Sequence, residues 1–190
     1  MGERPITLAS SDFQLFGLEQ RFAQDDTAID ARWKELQREA HPDRFAVQAS
    51  SAQRLAMQWS VRINEAYRRL KDPVRRATYL CELLDAPIHA ETNTAMPAEF
   101  LMQQMAWRET LDAAHSFSEL AQLQTQVQQS RDALLQRCAE FLDLYKDPGQ
   151  AAAQVRSLMF IERFCADIEA RLESLESASG ALAGADAAYR

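Results

Sequence analysis

The 190-residue chain carries 21 basic and 28 acidic groups, a net charge of −7, and its 47% apolar content is ample for a hydrophobic core. Only five glycines and six prolines occur in that length, which favours helices over a turn-rich β architecture, and no apolar run is long enough to cross a bilayer. Residues 1–80 hold 13 basic against 11 acidic groups, a balance of +2, and residues 81–190 hold 8 against 17, a balance of −9, so the two parts suit different partners and the acidic part is a poor nonspecific nucleic-acid binder.

Residues 1–11 show no periodic signal and no signal-peptide pattern. Asp12 to Phe16 fits a brief helix, with Ser11 or Asp12 as N-cap and Gly17 as its stop. After the cap-rich Gln24-Asp25-Asp26-Thr27, the spacing of Ile29, Trp33, Leu36 and Ala40 predicts a helix from about Thr27 to Ala40. Pro42 ends it, because its ring removes an amide donor and pushes His41 toward extended backbone. Residues 41–50 read as a polar loop. A second stripe of Ala52, Leu55, Ala56, Trp59, Ile63, Ala66, Tyr67 and Leu70 follows, on a helix over about Ser51–Leu70. Two such stripes joined by one loop describe an antiparallel helical hairpin with Ala40-His41-Pro42-Asp43-Arg44-Phe45 at its tip.

Lys71-Asp72-Pro73 opens a further helix, Val74 to Leu84, with Ala77, Leu80, Cys81 and Leu84 on one face. It reads as a bridge ended by Asp85-Ala86-Pro87, and Ile88–Ala95 reads as a linker. Three longer segments follow, at about 97–114, 117–145 and 150–176, separated by short turns such as Lys146-Asp147-Pro148-Gly149. The second carries Leu120, Leu123, Val127, Leu134, Cys138, Phe141 and Tyr145 on one stripe; the third carries Leu158, Ile161, Cys165, Ile168, Leu172 and Leu175. Together they predict an all-α chain: the hairpin with its bridging helix over 10–84, a linker over 85–96, an antiparallel three-helix bundle over 97–176, and a disordered Ala/Gly/Ser tail over 177–190.

Little in this pattern suits catalysis. His41 and Asp43 flank a proline on a loop with no serine or cysteine nucleophile fixed beside them. His41, His89 and His115 share no metal-ligand spacing, and the three cysteines are too far apart for a CxxC knuckle or a disulfide framework, so no metal or cofactor is expected and the compartment reads as cytoplasmic. Cys81, Cys138 and Cys165 all fall on apolar faces, as buried structural thiols do. Binding surfaces are more legible. Lys34 and Arg38 form a basic strip, expected on the side of their helix away from Trp33 and Leu36, with Arg44 just past the tip. Such a strip beside the Asp43 carboxylate can steer an acidic partner, although a charge strip alone also describes a solvated helix face. In segment 97–114, Phe100, Trp107, Leu111 and Ala114 share a sector that reads as core. Leu101, Met102 and Met105 lie on another sector with Glu109 at its edge, and Phe160 stands off the main stripe of the third segment. These residues form either an adaptable docking patch or part of a wide core face.

The tripeptide His41-Pro42-Asp43 between two amphipathic helices resembles a J-domain, the module that stimulates the ATPase of DnaK-like chaperones. Asp12-Phe13-Gln14-Leu15-Phe16-Gly17-Leu18, Asn64-Glu65-Ala66-Tyr67 and Phe100-Leu101-Met102 extend the resemblance to the HscB family of iron–sulfur cluster co-chaperones, over roughly nine tenths of the chain. The resemblance implies an ATPase activator that is not an enzyme, with His41, Pro42, Asp43, Lys34, Arg38 and Arg44 meeting a specialised DnaK-like chaperone, HscA. It further implies that Leu101, Met102, Met105, Glu109 and Phe160 meet the scaffold protein IscU. Ala106 and Ala113 stand where some relatives carry acids, and the N-terminal zinc-binding cysteine set of eukaryotic members is missing, so the chain looks bacterial in type. Other possibilities are a J-protein for a different client and a non-catalytic interaction module.

Overall fold

The computed structural model describes residues 6–41, 50–89 and 96–187, with side chains through residue 177. Helix α1 (Asp12–Phe16) is nucleated by a capping box: the Ser11 hydroxyl accepts from the Gln14 amide and the Gln14 side chain accepts from the Ser11 amide. Gly17 closes it at φ 64°, a left-handed conformation that glycine adopts without steric cost. Phe13, Leu15 and Phe16 are buried, so this short element survives by packing rather than by propensity.

Helix α2 (Asp26–Ala40) is capped by Asp25, whose carboxylate accepts from the Thr27 amide, and ends at an extended His41. Helix α3 (Ser50–Lys71) packs along it and is followed by α4 (Pro73–Leu83). Asp72 caps α4 and Pro73 occupies its first turn, where its missing N–H would have had no helical partner. Ile29, Leu36, Ala56, Ile63, Ala66 and Leu70 fill the space between α2 and α3. Leu55, expected on that stripe, is 49% exposed in the first turns of α3.

The remaining elements are α5 (Ala98–Ala113), α6 (Phe117–Ala139) and α7 (Pro148–Ala187). Between α6 and α7 the chain forms a π-helical turn, Glu140–Leu144, closed by bonds from the Tyr145 amide to the Glu140 carbonyl and from the Asp147 amide to the Phe141 carbonyl. The extra residue shifts the helical register, and Tyr145, expected on the buried stripe of α6, is 68% exposed. Helix α7 continues to Ala187, through much of the segment expected as a tail; its alanines are strong helix formers.

The chain divides into two compact units, residues 1–87 with 139–148 and residues 88–138 with 149–190. The core of the second is an aromatic stack. Trp107 lies against Phe164, Phe164 against Phe160, and Phe100 meets both Trp107 and Phe160 edge-on, with centroids 5.8–6.0 Å apart. Leu120, Leu123 and Val127 of α6 and Leu158, Ile161 and Ile168 of α7 complete it. Cys81 and Cys138 are buried, while Cys165 is only half-buried.

Candidate functional site

The first candidate surface is built on α2 and α3. Asp30 accepts from both the Tyr67 hydroxyl (2.9 Å) and the Lys71 ammonium (2.8 Å), tying the start of α2 to the end of α3. Lys71 first, and Tyr67 second, hold the Asp30 carboxyl below the ordinary carboxylate range, and the same bonds raise both partners. Tyr67 stacks on Trp33 at 4.7 Å, the Trp33 indole N–H donates to Asn64 Oδ1, and the Gln37 amide donates to the same oxygen. The pattern Asn64-Glu65-Ala66-Tyr67 thus has a physical reading. Asn64 and Tyr67 zip the helices together, fully buried Ala66 lets them approach, and Glu65 stays in solvent.

Lys34 and Arg38 are exposed, but not on the side away from Trp33: with Trp33, Gln37 and Asn64 they border one shallow groove. Lys34 directly follows Trp33, one helical step around the axis, and its exposed side chain borders the same groove. His41, at the end of α2, is exposed in extended backbone. Pro42, Asp43 and Arg44 lie outside the described residues.

Behind α2 and α3, charge is buried for support. Asp12 is fully enclosed, with Arg62 Nη2 2.6 Å from one carboxylate oxygen and Arg69 Nη1 2.9 Å from the other, and its amide donates to the Tyr79 hydroxyl. Arg62 also donates to the carbonyls of Leu8 and Ser10, so a single guanidinium holds the N-terminal strand of chain against α3. The sequence reading of Asp12 as a possible cap missed this role, because its partners lie fifty or more residues away.

The second candidate surface lies on α5. Phe100 and Trp107 point into the aromatic stack, and Leu111 is half-buried. Leu101, Met102 and Met105 are 44%, 74% and 65% exposed, respectively, outside the core. Glu109 is exposed and, with Ala106, Thr110, Ala113, Ala114 and Glu119, borders a shallow notch. Phe160 differs from the other three apolar residues. It is half-buried, stacked on Phe164, with the Arg108 guanidinium 5.5 Å above its ring. Arg108 follows Leu101 by two turns and Met105 by one, so it shares their face and brings Phe160 to the edge of the same patch. Nothing in the sequence reading singled out Arg108.

Among the described residues, no group of three or more His, Cys, Asp or Glu side chains is placed to hold a metal ion, and no helix is long and apolar enough to cross a membrane. The surfaces present docking features: a cationic groove on one unit and an apolar row edged by acid on the other.

Comparison with known proteins matches residues 96–169 to the profile of the HSCB C-terminal oligomerisation domain. The co-chaperone protein HscB homolog of Burkholderia multivorans is 46% identical over 175 residues, covering 90% of this chain and 99% of that protein. The homolog of Burkholderia thailandensis is 45% identical over 174 residues, with the same coverage. Among solved structures, the chaperone HscB from Vibrio cholerae superposes with a TM-score of 0.73 at 31% identity, over 87% of this chain and 99% of that one. Human co-chaperone protein HscB shares the fold, with a TM-score of 0.79 at 22% identity over 86% of this chain and 82% of its own.

Proposed function

Because the chain belongs to the HscB co-chaperone family, we propose that it serves iron–sulfur cluster biogenesis by stimulating the ATPase of a specialised DnaK-like chaperone, HscA, and delivering an IscU-type scaffold to it. The observation that carries this reading is the row Leu101, Met102 and Met105, left in solvent beside an aromatic core that is complete without it. Exposed Met side chains adapt to a partner's contours, and a few apolar anchors can supply most of a binding energy. Phe160 and Arg108 extend the row, and Glu109 supplies a charge for a basic residue on the scaffold.

On the hairpin, Lys34 and Arg38 steer an acidic surface of the chaperone toward α2, with Arg44 adding to the same field. His41, Pro42 and Asp43 then engage it, the Asp43 carboxylate taking a partner arginine. The contact favours one conformation of the ATPase over another, so its effect is a shift of population and the chain performs no chemistry itself. Three cysteines that form no disulfide with one another suit the cytosol as the site of action.

The test is a steady-state ATPase assay on a DnaK-like chaperone of this type, with the chain and an IscU-type scaffold added separately and together. Stimulation by the chain, increased further by the scaffold, is the expected result. Absence of any stimulation overturns the reading in favour of a non-catalytic interaction module, and stimulation without scaffold binding leaves a J-protein for another client. The name of the matched profile favours a second use of the apolar row, contact between copies of this chain. Light scattering on the wild type and on a variant with the row replaced by alanine distinguishes the two uses, since only self-association makes the mass depend on the row.

A further inference from the structure

The entry to α2 is held by a residue from far along the chain. Residues 19–25 form no regular element, yet Phe22 is buried, so its amide needs a partner other than water. That partner is Asp143 in the π-helical turn: Oδ1 accepts from the Phe22 amide at 2.7 Å and Oδ2 from the Ala23 amide at 2.8 Å. The loop is otherwise stitched from within, by the Gln24 amide donating to the carbonyls of Glu19 and Arg21. Two residues beyond Ala23 stands Asp25, the N-cap of α2.

The buried Phe22 ring makes a second connection. The Arg76 guanidinium lies 5.3 Å from its centroid, donates to the Leu70 carbonyl at 2.6 Å, and sits 3.7 Å from Asp26 in the first turn of α2. Asp143 thus fixes both the chain that leads into α2 and the aromatic ring that supports its first turn.

We propose that Asp143 is a positioning residue for chaperone binding: its carboxylate sets the direction of α2 and so the placement of Lys34, Arg38 and His41. This rests on the co-chaperone reading above. The lever is long, since a 15-residue helix spans about 22 Å and a tilt of ~10° at its start moves its far end by roughly 4 Å. A displacement of that size breaks the register of charge-assisted contacts at the tip. The chaperone-binding element is therefore not contained in the hairpin alone, and requires the turn after α6.

The test uses the full chain with Asp143→Asn and Asp143→Ala. Asparagine keeps one acceptor oxygen and nearly the same shape, so it serves should the alanine variant fold poorly. Hydrogen exchange at the Phe22, Ala23 and Ile29 amides reports the clamp and the start of α2. ATPase stimulation is titrated to saturation, and scaffold affinity is measured alongside. In both variants exchange is expected to accelerate at all three amides. If a third to a tenth of the molecules keep α2 in register, the half-maximal concentration rises roughly three- to tenfold. Maximal stimulation and scaffold affinity stay at wild-type levels, because the Asp43 trigger and the α5 row are intact. Faster exchange with an unchanged half-maximal concentration overturns the proposal, leaving a local clamp; unchanged exchange overturns the clamp itself. Loss of maximal stimulation at saturation also overturns it, since that is damage to the trigger and not to placement. A wild-type chain that stimulates nothing refutes the co-chaperone reading, and the proposal with it.

Discussion

Replacing Leu101, Met102 and Met105 together by alanine separates a docking row from a wide core. Their exposures of 44%, 74% and 65% mean that the fractions still covered add up to little more than one fully buried side chain. Burying one such side chain is worth about 1.5–3 kcal/mol, and the retained Cβ atoms and the better helix propensity of alanine return part of it. The triple variant should therefore lose about 1 kcal/mol of stability or less. Trp107, at 3% exposure in the aromatic stack, provides the contrast: Trp107→Ala alone should cost about 3–5 kcal/mol. Phe160→Ala should fall between the two, since it loses contacts with Phe100, Phe164 and Arg108 but starts half-exposed. The assay is a denaturant melt paired with a titration of an IscU-type scaffold on the same protein. The triple variant should melt near wild type and bind the scaffold at least roughly tenfold more weakly, as removal of central anchors does. A triple variant that unfolds like Trp107→Ala refutes the reasoning, because those side chains would then be core.

Three further outcomes follow from the structure. Reversing charge with Lys34→Glu and Arg38→Glu should slow chaperone association most at low ionic strength and leave scaffold binding unchanged; a loss indifferent to salt points away from steering. Asp12→Ala strips a buried carboxylate from between Arg62 and Arg69 and should cost roughly 2–4 kcal/mol in a melt, whereas a near-neutral result would mean the guanidiniums find other partners. Lys71 and Tyr67 depress the folded-state titration of Asp30, so its contribution to stability is complete above the ordinary carboxylate range and is lost as pH falls through the depressed value; the melting temperature of Asp30→Asn should fall less steeply than wild type over that acid range.

Much of the fold was legible because local signals agreed with packing. Ser11 and Gly17 bracket α1, Asp72 and Pro73 start α4, and Ile29 and Leu36 of α2 with Ala56, Ile63, Ala66 and Leu70 of α3 are buried as their stripes predict. Helical spacing separated two apolar sectors on α5 but left open whether the second was a docking patch or part of a wide core face, and the exposure of Leu101, Met102 and Met105 places it outside the core. What escaped was long-range or irregular. The π-helical turn is invisible to a 3.6-residue period, so Tyr145 was placed inward and Asp143 passed unnoticed. Asp12 was legible only as a possible cap and Arg76 not at all, because their burial depends on elements distant in sequence. Phe160 stood off its stripe as expected, yet the aromatic stack claims half of it, since a ring that size reaches neighbours its backbone position does not suggest.

The account turns on one carboxylate at the hairpin tip. Steady-state ATP hydrolysis by a DnaK-like chaperone should be measured against increasing wild-type chain and against Asp43→Asn, which keeps the shape of the side chain and removes the charge that a partner arginine needs. Wild type should accelerate hydrolysis, and the variant should not, while both melt alike and bind the scaffold equally. Normal stimulation by Asp43→Asn would contradict the account.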